Sequence, residues 1–502
     1  MMSQSIEMLL LDAFEHQKNG RPNDAIAIYQ RILNDESQHE NALVHHHLAN
    51  AYASQNNYRD ALQHYRDAVH AKPDYMAAHY HLGLLLLKHH ELAAAEKQFG
   101  NVLALHPEHI ESQFYLGVLH LNANLLDEAE HAFQQVLSIQ DSHAFALTNL
   151  GVIALKRNQG QVAVDYFTKA LVFEPNHIEA RNNLAATFMH HDRFENALMH
   201  YGVLLDTDPN NIEYLYNSGV AQMTLGHLPE ATAHFETILG QNSHHFAALN
   251  NLAAIQMRLG HRTDAIALLQ RALIANPTDS ATQFMLHALT GDEKYPTASS
   301  EYVSNLFDNY ALYYDQHMQG TLKYTLPHQM MRELHRLGYF HFKATLDLGC
   351  GTGLSGEVLR ESSEQLTGID IAAKMIAQAR NKEIYDSLIE SELLAFLSQD
   401  THVYDLIIAL DVLPYSGDLQ PLFQRIKQRL TEPGLFVFSC EISADEPWRL
   451  QDSARFCHHP DYIHALCQQH HLELIYQEQV VARQQEQRDV YVTLYIARKL
   501  AL

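Results

Sequence analysis

Along residues 6–289, small and apolar side chains return at a fixed interval of 34 positions. An alanine stands at 61, 95, 129, 163, 197, 231 and 265. Four residues after each comes Tyr65, Phe99, Phe133, Phe167, Tyr201, Phe235 or Leu269, and twelve after it comes a proline or a polar residue. Ala25 and Tyr29 begin the series in degenerate form. Twelve positions before the alanine the residue is small: Gly83, Gly117, Gly151, Ala185, Gly219 and Ala253. The spacing predicts a helix–turn–helix unit. Small residues let two helices approach closely, the aromatic fills the space between units, and the proline ends the second helix. Eight units are expected at 6–39, 42–75, 76–109, 110–143, 144–177, 178–211, 212–245 and 246–279. A terminal helix over 280–289 would cover the last apolar face, as stacked repeats need a cap.

The periodicity ends near residue 290. The stretch "TGDEKYPTASSEY" (290–302) is polar and carries a proline, which predicts a linker or a short ordered bridge. Beyond it, short apolar runs alternate with helical patterns. "ATLDL" (344–348), "QLTGID" (365–370), "VYDLIIAL" (403–410) and "LFVFSC" (435–440) read as buried strands. "AAKMIAQAR" and "DLQPLFQRIKQRL" read as helices between them, and "LELIYQEQVV" and "DVYVTLYIAR" as a terminal strand pair. Strand–helix alternation implies a doubly wound α/β sheet with ligands at the carboxyl ends of its strands. The expected organisation is an all-α repeat region over 1–289, a linker over 290–302 and an α/β domain over 303–502.

Composition narrows the partners. With 34 basic and 59 acidic side chains the net charge is −25, and no Lys/Arg cluster interrupts it, so nucleic acid is not expected. The longest aliphatic run, "LGLLLL", is far below a membrane span. The four cysteines, Cys350, Cys440, Cys457 and Cys467, show no C-x-x-C spacing, which fits a reducing, cytoplasmic setting. Among 36 histidines no H-E-x-x-H appears, so solvated helix-surface histidines are expected and no metal site.

The loop after the first strand, "LDLGCGTGLSG", fits two frames: G-x-G-x-G from Gly349, or the dinucleotide G-x-G-x-x-G from Gly351. The strand's first glycine is Gly349, so the dinucleotide frame starts too late. Asp347, at the strand's end, would repel a phosphate but could pair with a cationic amine. Asp370 ends the second strand and can accept from two ribose hydroxyls.

Taken in order, "LDLGCGTG", "GIDIA", "YDLIIALDVL" and "EPGLFVFSCE" resemble the class I S-adenosylmethionine-dependent methyltransferases. The 34-residue units resemble the tetratricopeptide repeat, whose stacks form right-handed superhelices with a concave face. The combination resembles predicted bacterial methyltransferases that carry such repeats. The resemblance implies S-adenosyl-L-methionine as cofactor, held by Asp347, Gly349, Cys350, Gly351, Gly353, Asp370 and Ile371. Glu392 and Leu393 stand where the family contacts adenine, with glutamate replacing the expected aspartate. "LFDNYALYYDQHM" (306–318) resembles the helix that closes over the cofactor. By that resemblance Tyr310 or Tyr314 covers the methionine end, or else the aromatic stripe only docks the helix.

Methyl transfer is an in-line displacement, and a base is needed only where the acceptor loses a proton. Candidates near the strand ends are Asp411, Tyr415 and His458, the last paired with His459. Asp411 also stands beside the cofactor. After the fourth strand the chain reads Asp411-Val412-Leu413-Pro414 and not [N/D]-P-P-[Y/F], which argues against planar amide and base-nitrogen acceptors. Carboxylate, hydroxyl, thiol or amine acceptors stay open. At the sixth position of four consecutive units stand Asn149, Asn183, Asn217 and Asn251, which resemble the asparagine ladder of the O-linked N-acetylglucosamine transferase repeats. They would bind an extended peptide, or else only follow the repeat consensus. Three functions follow as alternatives: a protein methyltransferase whose repeats capture its substrate, a small-molecule methyltransferase whose repeats dock it elsewhere, and a cofactor-binding scaffold with little turnover. Exposed ends of the repeat stack would also permit a homodimer.

Overall fold

The computed structural model describes residues 6–38, 41–291, 296–308, 310–311, 313–485 and 488–501. The chain forms two compact units, Met1–Leu225 and Gly226–Leu502. No helix among the described residues is long and apolar enough to cross a membrane.

The described residues of the first unit form helices joined by short turns. From Ala42 a 13-residue helix starts every 34 residues, at Ala42, Met76, Ile110, Ala144, Ile178 and Ile212. Between successive ones runs a 14-residue helix, from Tyr58–Ala71 to Phe194–Thr207. The fifteenth residue of every unit here takes a left-handed backbone: Gly20, Asn56, His90, Asn124, Asn158 and Asp192, with φ between 54° and 69°. That conformation ends the first helix and turns the chain. It favours glycine, or asparagine and aspartate with their short polar side chains.

In the units at 110–143, 144–177 and 178–211 the residue just before the first helix caps it. His109, His143 and His177 accept through Nδ1 from the backbone N–H groups of Ser112, Ala146 and Ala180 at 3.1–3.2 Å. An imidazole nitrogen here does the work usually given to a serine or aspartate oxygen. These histidines are therefore neither idle surface groups nor ligands.

The small residue and the aromatic of one unit meet in its core. A Cβ built on Gly151 would lie 2.4 Å from Phe167 Cε1, and one on Gly117 would lie 2.7 Å from the Phe133 ring. Gly151→Ala is expected to destabilise this unit by about 1–3 kcal/mol through overpacking, read as a lower denaturant midpoint with an unchanged m-value.

The second unit begins with helices Leu228–Gln241, Phe246–Arg258, Arg262–Ala275 and Ser280–Thr290. A seven-stranded sheet follows. Its strands are β1 (Phe342–Leu348), β2 (Ser363–Asp370), β3 (Ser387–Glu390), β4 (Tyr404–Ala409), β5 (Leu430–Cys440), β8 (Leu472–Gln485) and β9 (Arg488–Lys499). A separate hairpin pairs β6 (Trp448–Leu450) with β7 (Phe456–His458). The order is β3-β2-β1-β4-β5-β9-β8, with β9 antiparallel to both neighbours and the rest parallel. This is the doubly wound α/β sheet with a terminal antiparallel pair that the strand–helix alternation predicts.

Both faces of the sheet are covered, so its central strands are continuous apolar runs. Ile407, Phe436 and Phe438 face helices Gln420–Arg429 and Pro460–Gln469, while Leu406, Ile408 and Val437 face helix Leu326–Arg336. Helix Ser280–Thr290, expected only as a cap, packs Phe284 and Ala288 onto Ala454 and Phe456 of the β6–β7 hairpin. Arg262 reinforces the contact, donating to the Leu289 carbonyl and pairing with Asp452. Of the expected linker, residues 292–295 lie outside the described residues. Residues 296–298 form an ordered bridge: Gly417 N–H and Asp418 N–H donate to the Pro296 carbonyl at 2.9 Å, and Ala298 N–H to the Tyr415 carbonyl at 2.9 Å.

Candidate active site

Strand order reverses between β1 and β4, and there the carboxyl ends of β1, β2 and β4 open into a cavity of about 530 Å³. Gly349, Gly351, Asp370, Ile371, Glu392, Leu393, Asp411 and Tyr415 line it from the sheet. Ala298, Val303, Phe307 and Tyr314 line it from the segment before the sheet. The lining carries four acids, Asp370, Glu392, Asp411 and Asp418, and among the described residues no Lys, Arg or His.

The loop after β1 reaches the cavity through left-handed glycines. Gly349, Gly351 and Gly353 have φ of 69°, 55° and 95°. A Cβ on Gly349 would lie 2.4 Å from Val412 Cγ2, so only glycine fits there. A Cβ on Gly351 would meet nothing within 4 Å, because that stretch of backbone opens onto the cavity. Cys350 is buried, and burial first, then Asp347 and Asp370, push its thiol well up, so it packs and is no nucleophile.

Asp370 fixes the loop. Its Oδ2 accepts from Gly351 N–H and its Oδ1 from Ala372 N–H, both at 2.9 Å. Each oxygen keeps a second lone pair for a ligand. Burial raises its pKa and the backbone N–H bonds oppose that. Asp347 lies behind the cavity wall, 1% exposed, and accepts from Tyr385 Oη at 2.6 Å. Burial is the main reason its carboxyl is pushed up to about 7. Glu392 caps helix Leu393–Gln399, accepting from Ala395 N–H at 2.7 Å.

The described residues of 300–318 are tied to the loops. Asp308 accepts from Lys374 N–H at 2.8 Å, and Asp315 pairs with Lys382 at 2.6 Å and accepts from the Thr352 hydroxyl. Its aromatic rings gather at the cavity, with Phe307 5.4 Å from Tyr415 and Tyr310 5.1 Å from Tyr314, both edge-on. Tyr314 reaches the wall. Tyr310 stands behind it, bonded to His317.

Asp411 is locked in a network that sequence reading did not detect. Arg455 reaches its Oδ1 at 2.7 Å and Arg483 its Oδ2 at 3.1 Å. Arg455 also donates to Glu441 at 2.8 Å and to Tyr415 Oη at 3.0 Å. Burial would raise the Asp411 pKa, but the two guanidiniums outweigh it and hold the carboxyl below its ordinary range. So firmly ionised a carboxylate is a poor proton acceptor. His458 is a correction. It is 1% exposed, does not line the cavity, and donates from Nε2 to the Ser416 carbonyl at 2.8 Å. It braces the loop after β4, and burial pushes it down to about 4. His459 caps helix Pro460–Gln469.

In the first unit Asn149, Asn183 and Asn217 hold the same place on successive first helices, each half-buried. Asn149 donates from Nδ2 to the Phe145 carbonyl at 2.8 Å, and Asn217 to Tyr201 Oη at 3.0 Å. Asn183 borders a second cavity of about 270 Å³ with Leu155, Asn158, Thr187 and His190. Asn251 holds the corresponding place in the second unit.

Comparison with known proteins gives three family matches. The Methyltransferase domain family matches residues 346–436 and the Tetratricopeptide repeat family residues 222–289. The Cilia and flagella-associated protein 70 C-terminal domain family matches residues 3–205. Trans-aconitate 2-methyltransferase of Rhizobium etli is 30% identical over 22% of this chain and 43% of its own length. Ubiquinone biosynthesis O-methyltransferase of Nitrosospira multiformis is 30% identical over 23% and 55%. Malonyl-[acyl-carrier protein] O-methyltransferase of Enterobacter lignolyticus is 25% identical over 31% and 62%. The chain thus spans about half the length of the curated relatives it matches. Among solved structures, YrrB, a TPR protein with an unusual peptide-binding site, is 20% identical over 37% of this chain and 95% of its own, with a TM-score of 0.35. The chain thus carries tetratricopeptide repeats and a methyltransferase domain.

Proposed function

We propose that the chain transfers a methyl group from S-adenosyl-L-methionine to a carboxylate oxygen on an acceptor delivered by a protein bound along the repeats. The observation that carries the cofactor is the acid-lined cavity at the strand ends, without a cationic side chain in its lining among the described residues. A pyrophosphate would be repelled there, whereas an ammonium and a sulfonium are attracted. Asp370 would hold the ribose, Glu392 and Leu393 would flank the adenine, and the opened backbone at Gly351 would admit the ligand. Phe307 and Tyr314 bring aromatic rings to the cavity, where a ring attracts a cation, while the Tyr415 ring already lies under Arg455 at 5.3 Å. When bound, the cofactor supplies a methyl carbon already activated by its leaving group.

The rest falls to positioning and to keeping water out. Asp411 is held ionised by Arg455 and Arg483, Tyr415 is bonded to Arg455, and His458 lies outside the lining. An acceptor that is already an anion needs no base, and a carboxylate meets that condition at neutral pH; it would meet the cofactor's sulfonium, whose charge offsets the acids of the lining. The repeats and the cavity beside Asn183 support a polypeptide partner. A free small-molecule acceptor is the second reading, favoured by the names of two relatives, a trans-aconitate and a ubiquinone-biosynthesis methyltransferase.

The test incubates the full chain with methyl-labelled cofactor and a dialysed lysate lacking this gene. Label on a discrete protein, released as volatile methanol by mild alkali, is the expected result. Alkali-stable label would remove the carboxylate, and label confined to small molecules would establish the second reading. An Asn183→Ala/Asn217→Ala variant should lower methylation of that protein about tenfold through KM, since two amide contacts of about 0.5–1.5 kcal/mol each are lost. An unchanged KM would free the asparagines from partner binding.

Asp347 makes cofactor binding depend on pH. Its carboxyl is neutral below about 7 and anionic above. Affinity for a cationic ligand should therefore rise as pH increases from 6 to 8, and an Asp347→Asn variant should flatten that rise in titration calorimetry. Without ligand the sign is opposite. Between the unfolded value near 4 and the folded value the native state binds the extra proton, so stability falls as pH rises through that window.

A further inference from the structure

Two imidazoles and a carboxylate converge in the second repeat, far along the chain from the sheet. His45 lies on helix Ala42–Ser54, and His64 and Asp67 lie three apart on helix Tyr58–Ala71. His45 Nδ1 is 3.1 Å from His64 Nδ1, and Asp67 Oδ2 is 3.6 Å from His64 Nδ1 and 3.9 Å from His45 Nδ1. Zinc bonds of about 2.0–2.1 Å at tetrahedral angles separate neighbouring ligand atoms by about 3.3 Å. The three observed edges bracket that length; one point lies about 2.1 Å from all three atoms, close to their plane, and drawing in the two longer edges by a few tenths of an ångström would give the tetrahedral arrangement.

The surroundings hold the donors in that pose. Gln63 Nε2 donates to Asp67 Oδ1 at 2.9 Å, which leaves Oδ2 toward the imidazoles. The Tyr52 ring stacks on His64 at 5.7 Å and 5°, and Tyr52 Oη accepts from Gln30 at 2.8 Å. Such supporting contacts set ligand orientation in metal sites. His45 is buried while His64 and Asp67 are half-buried, so an ion could enter and keep one position for water.

The repeat itself supplies an internal comparison. The same three positions in the next unit are His79, Gln98 and Asn101. There His79 Nδ1 meets Gln98 Oε1 at 2.7 Å, an ordinary neutral hydrogen bond between the two helices. In the units after it they are Gln113, Ala132 and Gln135, then Leu147, Tyr166 and Lys169, then Arg181, His200 and Val203. Closing this helix pair therefore needs no ligand set. Within the first unit, the unit at 42–75 alone has three metal-binding side chains there, and His45, His64 and Asp67 form the one such group among the described residues.

We propose that His45, His64 and Asp67 bind one divalent first-row transition ion of the zinc class, clipping the two helices of the second repeat together. This runs against the sequence-based expectation of no metal site, and it is independent of the methyl-transfer chemistry. The untagged full chain, stripped with chelator and dialysed, is titrated with zinc chloride by calorimetry, and bound zinc is counted by mass spectrometry. The expected result is one saturable equivalent that binds at least tenfold more weakly in a His64→Gln/Asp67→Asn variant. That variant copies the neighbouring unit, so its helicity should be unchanged by circular dichroism. Equal binding by the variant, or no saturable equivalent in the natural chain, would overturn the proposal. Should the double variant fold poorly, Asp67→Asn alone decides the matter with cobalt(II) as probe. Visible d–d bands of tetrahedral intensity should fade in it, and bands that persist unchanged would equally overturn the site.

Discussion

Asp370→Ala should weaken S-adenosylmethionine binding at least a hundredfold. The carboxylate sits at the end of β2 and lines the cavity, yet its two oxygens are also the acceptors for Gly351 N–H and Ala372 N–H. Alanine removes both bonds to a charged group, each worth about 1.5–3 kcal/mol, and with them the constraint that holds the glycine loop open. It also removes the acceptor proposed for the ribose. A loss of about 2.8 kcal/mol is a hundredfold in Kd, and the combined effects exceed that. Titration calorimetry reads the affinity, and hydrogen exchange at Gly351 and Ala372 reads the loop. Weaker binding with faster exchange at both amides is the expected pair of results. Affinity equal to that of the natural chain would remove Asp370 from the cofactor site.

Much of the fold is legible in the sequence because its two regions carry strong and different periods. A 34-residue recurrence of Gly or Ala, aromatic and proline specifies the repeat. It also sets the helix starts at Ala42, Met76, Ile110, Ala144, Ile178 and Ile212. A further local signal is Gly20, Asn56, Asn124, Asn158 and Asp192 at the left-handed turn of five of the six units there, and histidines before the first helix at the cap of three. The central strands were legible because burial on both faces makes them unbroken apolar runs. The β6–β7 hairpin and β3 were not, since three- and four-residue strands have no period to detect. Glycines and acids at strand ends point to a cavity from sequence, because their positions relative to the strands are local. Residues joined only by tertiary structure are not local: Arg455 and Arg483 lie 44 and 72 positions from Asp411. Likewise His45 and His64 are 19 positions apart, and a search for helical ligand spacing passes over them.

Asp411→Asn separates a supporting role from a catalytic one. Asp411 takes a left-handed backbone, φ 59°, which asparagine tolerates at least as well, so the substitution removes charge without adding backbone strain. What it leaves is two guanidiniums, Arg455 and Arg483, facing Glu441 as the one remaining carboxylate of the network. Breaking a buried ion pair by removing one partner costs about 3–5 kcal/mol, because the surviving charge stays desolvated and uncompensated. The expected result is a large drop in the unfolding midpoint of the sheet-bearing unit. Arg455→Met alone should also be destabilising, but Asp411→Asn combined with Arg455→Met should recover part of the loss, since the pair leaves Arg483 with Glu441. The pH profile distinguishes the roles. A proton-accepting Asp411 would give Asp411→Asn a rate defect without a stability defect and remove the acidic limb of kcat/KM. A carboxylate held ionised by two arginines predicts the reverse: the stability defect appears, and the acidic limb stays with Asp347 near pH 7. The network then acts as the rigid floor that sets the position of Tyr415 and the loop after β4, and through them the shape of the acceptor's end of the cavity.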